Sequence, residues 1–494
     1  LETQSRTKIF SQLVRDYMRR KTVALPADRT VSDLLAAMTA GRATSALVTV
    51  PYGQEHAGRL CGIVTEHDVL RRIALRVEGD APVSTVMTSP VQSIGMDDYL
   101  YFAIARMRRF GWRHMPVIDS DGFPVGVINL TDALAVAGEA VVEEIDLISR
   151  EGSLDGLREI KAAQVALADR LFADSVPAPE IQQLLTHINN DIHRRIIESG
   201  LEDMRAEGWG EPPVNFCLII MGSGGRGENF LYPDQDNGFI LDDYPDEAHG
   251  EIDPFFIELA ERMNRDLDEV GFPYCNGYVM ARNPLWRKTR SQWREQVQMW
   301  GRKRGDIAIQ LSDIFFDFRG AYGEVTWAQN LRRDVNTMIG KSPFFLRAML
   351  DEISRASVAL GWFGRLLTEK DKPEHRGEIN LKHRGTLPLV SNIRLLALKE
   401  GVVETGTLAR IDALYHKGVF DKDEWDYLRG AFDHITTLLL RQQLRDFVNP
   451  KRKVGNYVHP NDFSERERDM LVSSFEAIDD LSKRVRHDFT GEIF

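Results

Sequence analysis

Val214-Asn215-Phe216-Cys217-Leu218-Ile219-Ile220-Met221-Gly222-Ser223-Gly224-Gly225-Arg226-Gly227-Glu228, followed by Asp234-Gln235-Asp236 and Phe239-Ile240-Leu241, decides the fold of this chain. The apolar run up to Met221 predicts a buried strand, bounded by Gly222. The small residues from Gly222 to Gly225 let the backbone approach a triphosphate closely. Ser223 can donate to a phosphate oxygen, and Arg226 can neutralise charge on a leaving pyrophosphate. On an extended strand, side chains at i and i+2 share a face, so Asp234 and Asp236 converge. A divalent metal relieves their mutual repulsion. Metal carboxylates opposite a phosphate-cradling turn are what nucleotidyl transfer needs. The alternative is an ordinary acidic turn after Pro233.

Strand, Gly-Ser turn, short helix and D-x-D strand together resemble the core of the DNA polymerase β nucleotidyltransferase superfamily. The resemblance implies Mg²⁺ (or Mn²⁺) held by Asp234 and Asp236, and a third carboxylate from a neighbouring strand. Leu311 to Arg319 reads as a short apolar strand with two acids. Asp317 lies inside its apolar run, where a lone acid is costly unless paired or metal-bound. Asp317 is therefore the candidate third ligand, and a salt bridge with Arg319 or another buried arginine is the alternative. Asp313, at the strand's edge, is expected to be solvated.

An internal repeat occupies the N-terminus. Val14 to Met18 recurs as Val83 to Met87, and Leu34, Leu35 and Met38 recur as Ala103, Ile104 and Met107, both at an offset of 69. Each copy closes on a glycine, an apolar pair and a helix start: Gly62 to Asp68, then Gly126 to Asp132. Two such βαββα units are expected to pack together, because neither buries its sheet alone. Residues 10 to 138 resemble a tandem pair of CBS domains. That resemblance implies an adenine nucleotide in the cleft, with Thr65 at a phosphate and Asp68 at a ribose diol. Asn129 and Asp132 hold the matching places in the second copy, where Asn129 departs from the usual Ser or Thr. The alternative is that these residues only cap helices and the pair serves dimerisation.

The wider chain, from about 140 to 494, resembles the CBS-associated nucleotidyltransferases of signal-transduction type. They are relatives of the PII-protein uridylyltransferase and the glutamine-synthetase adenylyltransferase. Asp234 to Asn237, Asn276 to Trp286 and Asn380 to Gly385 carry this likeness, while Gln235 replaces the hydrophobic residue usual between the acids. Lys382 and Arg384 sit in a predicted polar loop that could close over a triphosphate; the alternative is a solvated basic loop. His375 and His383 are read as surface residues.

The expected architecture is multidomain, α/β and α+β. A tandem CBS pair spans 1–138, a helical connector 139–205, a polymerase-β-like nucleotidyltransferase domain 206–325 and a C-terminal α-helical bundle 326–494. Periodic apolar residues mark the connector at Val141, Ile145 and Ile148 and at Ile181, Leu184, Leu185 and Ile188. With 494 residues, several cores are expected. The formal charge of −12 argues against a nucleic-acid partner. Cys61, Cys217 and Cys275 form neither a CxxC pair nor a disulfide framework, which fits a reducing cytoplasm. No apolar run is long enough to span a membrane. The start at Leu1 rather than a methionine is read as a trimmed N-terminus. The expected partners are an NTP substrate, a protein acceptor and a second copy of the chain. A catalytically silent nucleotide sensor is the alternative function.

Overall fold

The offset of 69 reappears in the backbone. A computed structural model describes residues 12–54, 56–73, 77–137, 153–173, 175–302, 314–448 and 454–490. They fall into two compact units, Leu1–Glu151 and Gly152–Phe494. In the first unit, β1 (Val23–Pro26), β2 (Ser45–Thr49) and β3 (Leu60–Thr65) form one sheet. Its counterpart comprises β4 (Ile94–Gly95), β5 (His114–Ile118) and β6 (Pro124–Asn129). Each sheet pairs its first two strands in parallel and its last two antiparallel. The helices Val31–Gly41 and Leu100–Phe110 occupy equivalent places.

The two halves are laced together crosswise. Arg19, ahead of the first sheet, bridges to Val127 of the second, while Thr88, ahead of the second, bridges to Ile63 of the first. The repeated methionine thus serves the other half: Met18 packs on Gly126 and Met87 on Gly62.

The second unit is built on a four-stranded sheet of order β10–β7–β8–β9. These strands are β7 (Phe216–Ile220), β8 (Asn237–Leu241), β9 (Arg287–Thr289) and β10 (Arg319–Gly323). All five residues of β7 are buried, as its apolar run predicts. β8 is antiparallel to β7, with Ile220 opposite Asn237. The helices Leu154–Ala173 and Ala178–Ala206 belong to this unit and pack on helix His249–Val270. Ile181, Leu184, Leu185 and Ile188 are all buried. Val141, Ile145 and Ile148 lie outside the described residues, as does Asp313.

The chain beyond 323 is mostly helical, with Pro343–Ile353, Leu387–Lys399, Thr407–His416, Lys422–Val448 and Glu465–Thr490. A reciprocal cap opens the last helix: the Ser464 amide and hydroxyl donate to Glu467, whose amide returns a bond to the hydroxyl. A small ladder, β11 (Ile379–Asn380) with β12 (Tyr457–Val458), interrupts the helices. No helix among the described residues is long and apolar enough to cross a membrane.

Three local expectations are corrected. Asp234 and Asp236 lie in the extended segment just ahead of β8, not within it. Ile314 to Phe318 is a helix end and a turn, and the strand begins only at Arg319. Lys382–Thr386 is a wide helical turn leading into Leu387–Lys399, not a loop.

The glycine-rich segment winds into one helical turn, Gly222–Arg226. Its tightest neighbour is the 314–318 turn: a Cβ at Gly225 would lie 1.7 Å from the carbonyl oxygen of Asp317. Gly225→Ala should therefore cost about 3 kcal/mol by forcing the two backbones apart. Gly430→Ala, in a helix with nothing within 4 Å of its Cβ, should be neutral or stabilising by up to about 1 kcal/mol. Urea unfolding of the two variants checks the contrast.

Candidate functional site

The end of β7 delivers the glycine turn, and the same ladder delivers the acids. The Met221 amide donates to the Asp236 carbonyl at 2.8 Å, extending the β7–β8 pairing by one step. Asp236 is thereby fixed beside the turn. Gly222 adopts φ +59°, and a Cβ there would lie 2.6 Å from the Asp236 carboxylate. The bare backbone makes the space that the carboxylate occupies.

Asp234, Asp236 and Cys275 each bring one ligand atom to within 4.8 Å of the others. Burial first, then the neighbouring Asp234 charge, pushes the Asp236 carboxyl up to about 7. Burial also pushes the Cys275 thiol up to about 12, reinforced by the Asp236 charge. Asp234 is exposed and Asp236 half-buried; carboxylates held this close repel each other, and by their chemistry these donors fit a divalent metal. Sequence reasoning found both acids but not Cys275, which lies 39 residues beyond Asp236 on another loop.

Gln235, the unusual residue between the acids, points the opposite way. It is fully buried, and its amide donates to the carbonyls of Asn264 and Phe272 at 2.9 and 2.8 Å. Its oxygen accepts from Asn264 at 2.7 Å. The polarity of Gln235 is therefore spent on holding neighbouring groups, away from the acid pair.

Ser223, Arg226, Asp234 and Lys382 line one cavity of about 130 Å³. Small-molecule sites usually begin near roughly 300 Å³, so this space suits a phosphate-sized part of a ligand. Ser223 donates to Asn229 at 3.0 Å. Lys382, which is exposed, faces the acids closely enough to oppose the rise at Asp236. Arg384 turns away, donating to the Val358 carbonyl at 3.2 Å. His375 stacks on Tyr457 and bonds Glu378, remote from this role, and His383 is exposed. Lys161 donates to the Leu231 carbonyl at 3.0 Å, three residues before Asp234, and burial pulls its ammonium down to about 7. This anchor gives no motif in the sequence.

Asp317 is corrected. The structure does not bring it to Asp234 and Asp236. It is fully buried and held by Arg226 at 2.8 Å, Arg394 at 2.6 Å and Arg410 at 2.7 Å. Arg394 and Arg410 foremost hold its carboxyl well below the usual carboxylate range, against the opposing effect of burial. A lone buried acid needs compensation, and arginines supply it here in place of a metal. Arg226 is thereby committed twice, to Asp317 and, at 2.6 Å, to Glu228.

In the first unit, Thr65 and Asp68 border a cavity of about 570 Å³ that Trp112 and His114 also line. The same two residues form a reciprocal cap: the Thr65 amide and hydroxyl donate to Asp68 at 2.9 and 2.8 Å. Capping and cavity-lining therefore coexist. His114 shares a 2.9 Å bond with Thr44, and burial lowers its pKa. Asp132 instead pairs with Arg19 at 2.6 Å, and the Asn129 side chain caps the Thr131 amide at 2.9 Å. Neither is among the residues bordering that cavity.

Three family models match the chain. Residues 14–75 and 83–139 match the CBS domain, and 162–306 match a family described as "Putative nucleotidyltransferase DUF294". Residues 343–489 match "Putative nucleotidyltransferase substrate binding domain". An uncharacterized 17.7 kDa protein of Acidianus ambivalens is 34% identical over 74 residues, 15% of this chain and 44% of that protein. An uncharacterized protein of Methanocaldococcus jannaschii is 32% identical over 80 residues, 16% of this chain and 19% of that protein. The chain thus spans less than half the length of these curated relatives. A CBS domain protein from Pyrobaculum aerophilum, solved with AMP, is 26% identical; the match covers 27% of this chain and 98% of that one, with a TM-score of 0.24. The CBS domain of a bacterial CNNM/CorC family Mg²⁺ transporter, solved with ATP, is 19% identical; the match covers 28% and 95%, with a TM-score of 0.24.

The two acids should respond oppositely to neutralisation. Asp236, with its carboxyl raised to about 7, binds more protons folded than unfolded, so its ionisation costs stability as pH rises from about 4 to 7. Asp236→Asn should leave the metal-free protein unchanged near pH 4 and stabilise it by about 1–3 kcal/mol above pH 7. Asp317→Asn strands three arginines and should destabilise by about 3–5 kcal/mol across the same range. Chemical unfolding against pH checks both.

Proposed function

We infer, from a chain that belongs to the CBS-associated nucleotidyltransferases, a divalent-metal-dependent enzyme that moves NMP from an NTP to a hydroxyl acceptor. The carrying observation is the convergence of Asp234 and Asp236 against the Gly222 turn, beside the cavity lined by Ser223 and Lys382. Asp234 and Asp236 would hold the metal, Mg²⁺ or Mn²⁺. The metal, when bound, supplies positive charge to the phosphates and to the attacking oxygen. The turn's backbone and Ser223 would receive phosphate oxygens, and Lys382 would neutralise the departing pyrophosphate. In this reading the acceptor is a protein, and its hydroxyl attacks the α-phosphate. The helical segment 343–489 is where the acceptor would be received, in keeping with its family description.

Control is assigned to the CBS pair. The cavity beside Thr65 and Asp68 has the size of a nucleotide site, and Trp112 offers it an aromatic surface. We assign it an adenine nucleotide. Release of Asp68 from its cap on Thr65 would free its carboxylate for a ribose diol. Asn129 and Asp132 are assigned no ligand, because Arg19 already holds Asp132. A homodimer through the CBS helices and a cytoplasmic setting, suited to the free thiols of Cys61, Cys217 and Cys275, complete the reading.

A second reading is a nucleotide sensor without chemistry. It is favoured by the commitment of Arg226 to Glu228 and Asp317 and by the withdrawal of Asp317 from the acid pair. Incubation with each labelled NTP and a cell extract separates the two. The enzyme reading expects label on a macromolecule and metal-dependent pyrophosphate release, with both reduced to background in Asp236→Asn. Tight NTP binding without transfer, for all four nucleotides, favours the sensor. For the CBS pair, AMP calorimetry on the full chain should show binding that Asp68→Ala weakens by roughly ten- to a hundredfold, the loss of a charged hydrogen bond. Absence of AMP, ADP and ATP binding to a chain carrying Asp236→Asn would leave the pair a dimerisation module.

A further inference from the structure

We propose that Cys275 is the third protein ligand of the metal held by Asp234 and Asp236, and that the centre therefore prefers Co²⁺ or Zn²⁺ to Mg²⁺. The proposal rests on the metal site of the preceding reading and specifies its donors.

The loop carrying Cys275 is built onto the acid segment from both sides. The Gln235 amide donates to the Pro273 carbonyl at 3.0 Å, and the Asn237 amide donates to the Val279 carbonyl at 3.0 Å. These bonds bracket Asp236 and hold the residues between Pro273 and Val279 as an arch alongside it, from which the Cys275 sulfur reaches its carboxylate. A turn closes the arch, with the Tyr278 amide on the Cys275 carbonyl at 3.0 Å and Tyr278 at φ +54°. The Gln235 side chain adds a bond to the Phe272 carbonyl, where the loop begins. The residue that departs from the usual pattern between the acids thus anchors the loop that brings sulfur to them.

Cys275 is 7% exposed, and its sulfur lies with one oxygen of each acid inside 4.8 Å. A first-row divalent ion bonds carboxylate oxygen at roughly 2.0–2.2 Å and thiolate sulfur near 2.3 Å. Ligands on one ion are therefore at most about 4.5 Å apart, close to the 4.8 Å within which these three atoms lie. Gly222, with no Cβ against Asp236, leaves the far side of that carboxylate open to the turn. On binding, the thiol proton goes to solvent and the sulfur lone pair bonds the metal. Two carboxylates alone suit Mg²⁺, whereas a thiolate among them favours borderline cations. Asp317 is unavailable as a competing third ligand, since three arginines hold it.

Cobalt reports sulfur directly. Cys217 is fully buried in the core on β7, and Cys61 lies in the other unit. Titration of the full chain with Co²⁺ should raise a near-ultraviolet sulfur-to-cobalt charge-transfer band that excess Zn²⁺ abolishes. The band should vanish in Cys275→Ser, checked for folding by circular dichroism. That variant should bind Co²⁺ at least about tenfold more weakly, given that even outer partners of a metal site are worth that much, with Mg²⁺ binding nearly unchanged. Calorimetric Co²⁺ binding without the band, or a band that survives in Cys275→Ser, overturns the proposal. If that happens while Mg²⁺ still drives pyrophosphate release, the transferase reading stands and only the sulfur ligand falls. If no divalent cation binds the wild type, the metal-dependent reading falls with it.

Discussion

The carboxylate of Asp317 is reached by guanidinium groups from three separate parts of the chain. Arg226 comes from the glycine turn, Arg394 from helix Leu387–Lys399 and Arg410 from helix Thr407–His416. None of these side chains can be released cheaply, because each charge is buried and loses its compensation if the partner leaves. The nucleotidyltransferase sheet and the C-terminal helices are locked together at this point. Glu228 reinforces the lock by binding Arg226 and accepting the Thr407 amide at 2.6 Å. The Thr405 hydroxyl adds a bond to the Gly225 carbonyl at 2.8 Å. The glycine turn is thus held in place by the helical domain.

That arrangement divides labour between two kinds of buried acid. Asp317 is stabilised as an anion by arginines and holds the framework. Asp236 faces another acid, with Cys275 as its near neighbour, and its ionisation is costly without a cation. The first kind favours stability, and the second stores unfavourable electrostatics. Both lie against glycines for the same reason. Gly225 admits the Asp317 backbone and Gly222 admits the Asp236 carboxylate, and a methyl group at either place would collide.

The first unit obeys a simpler constraint. Each three-stranded sheet completes itself with the segment preceding the other copy. The resulting cavity joins the closing motif of the first copy, Thr65 to Asp68, to Trp112 and His114 of the second. The copies differ electrostatically: Arg19 pairs with Asp132 at 2.6 Å, whereas Asp68 bonds Thr65 and lies 3.5 Å from Arg72.

The sequence by itself determined the repeat, the buried strand, the glycine turn and the acid pair, because each is a local pattern of spacing and polarity. It also identified Asp317 as an acid that required compensation. It could not say what compensates it, since Arg226, Arg394 and Arg410 are 91, 77 and 93 positions away from it. The same holds for Cys275, which has no motif of its own and meets Asp236 only because backbone bonds at Gln235 and Asn237 fold its loop over the acids. Lys161 and Leu231 are likewise 70 positions apart. Periodicity reports which face of an element is buried, but not which distant charge it will meet there. That choice belongs to the tertiary structure, because compensating a buried charge requires partners from whichever elements packing brings within hydrogen-bond reach.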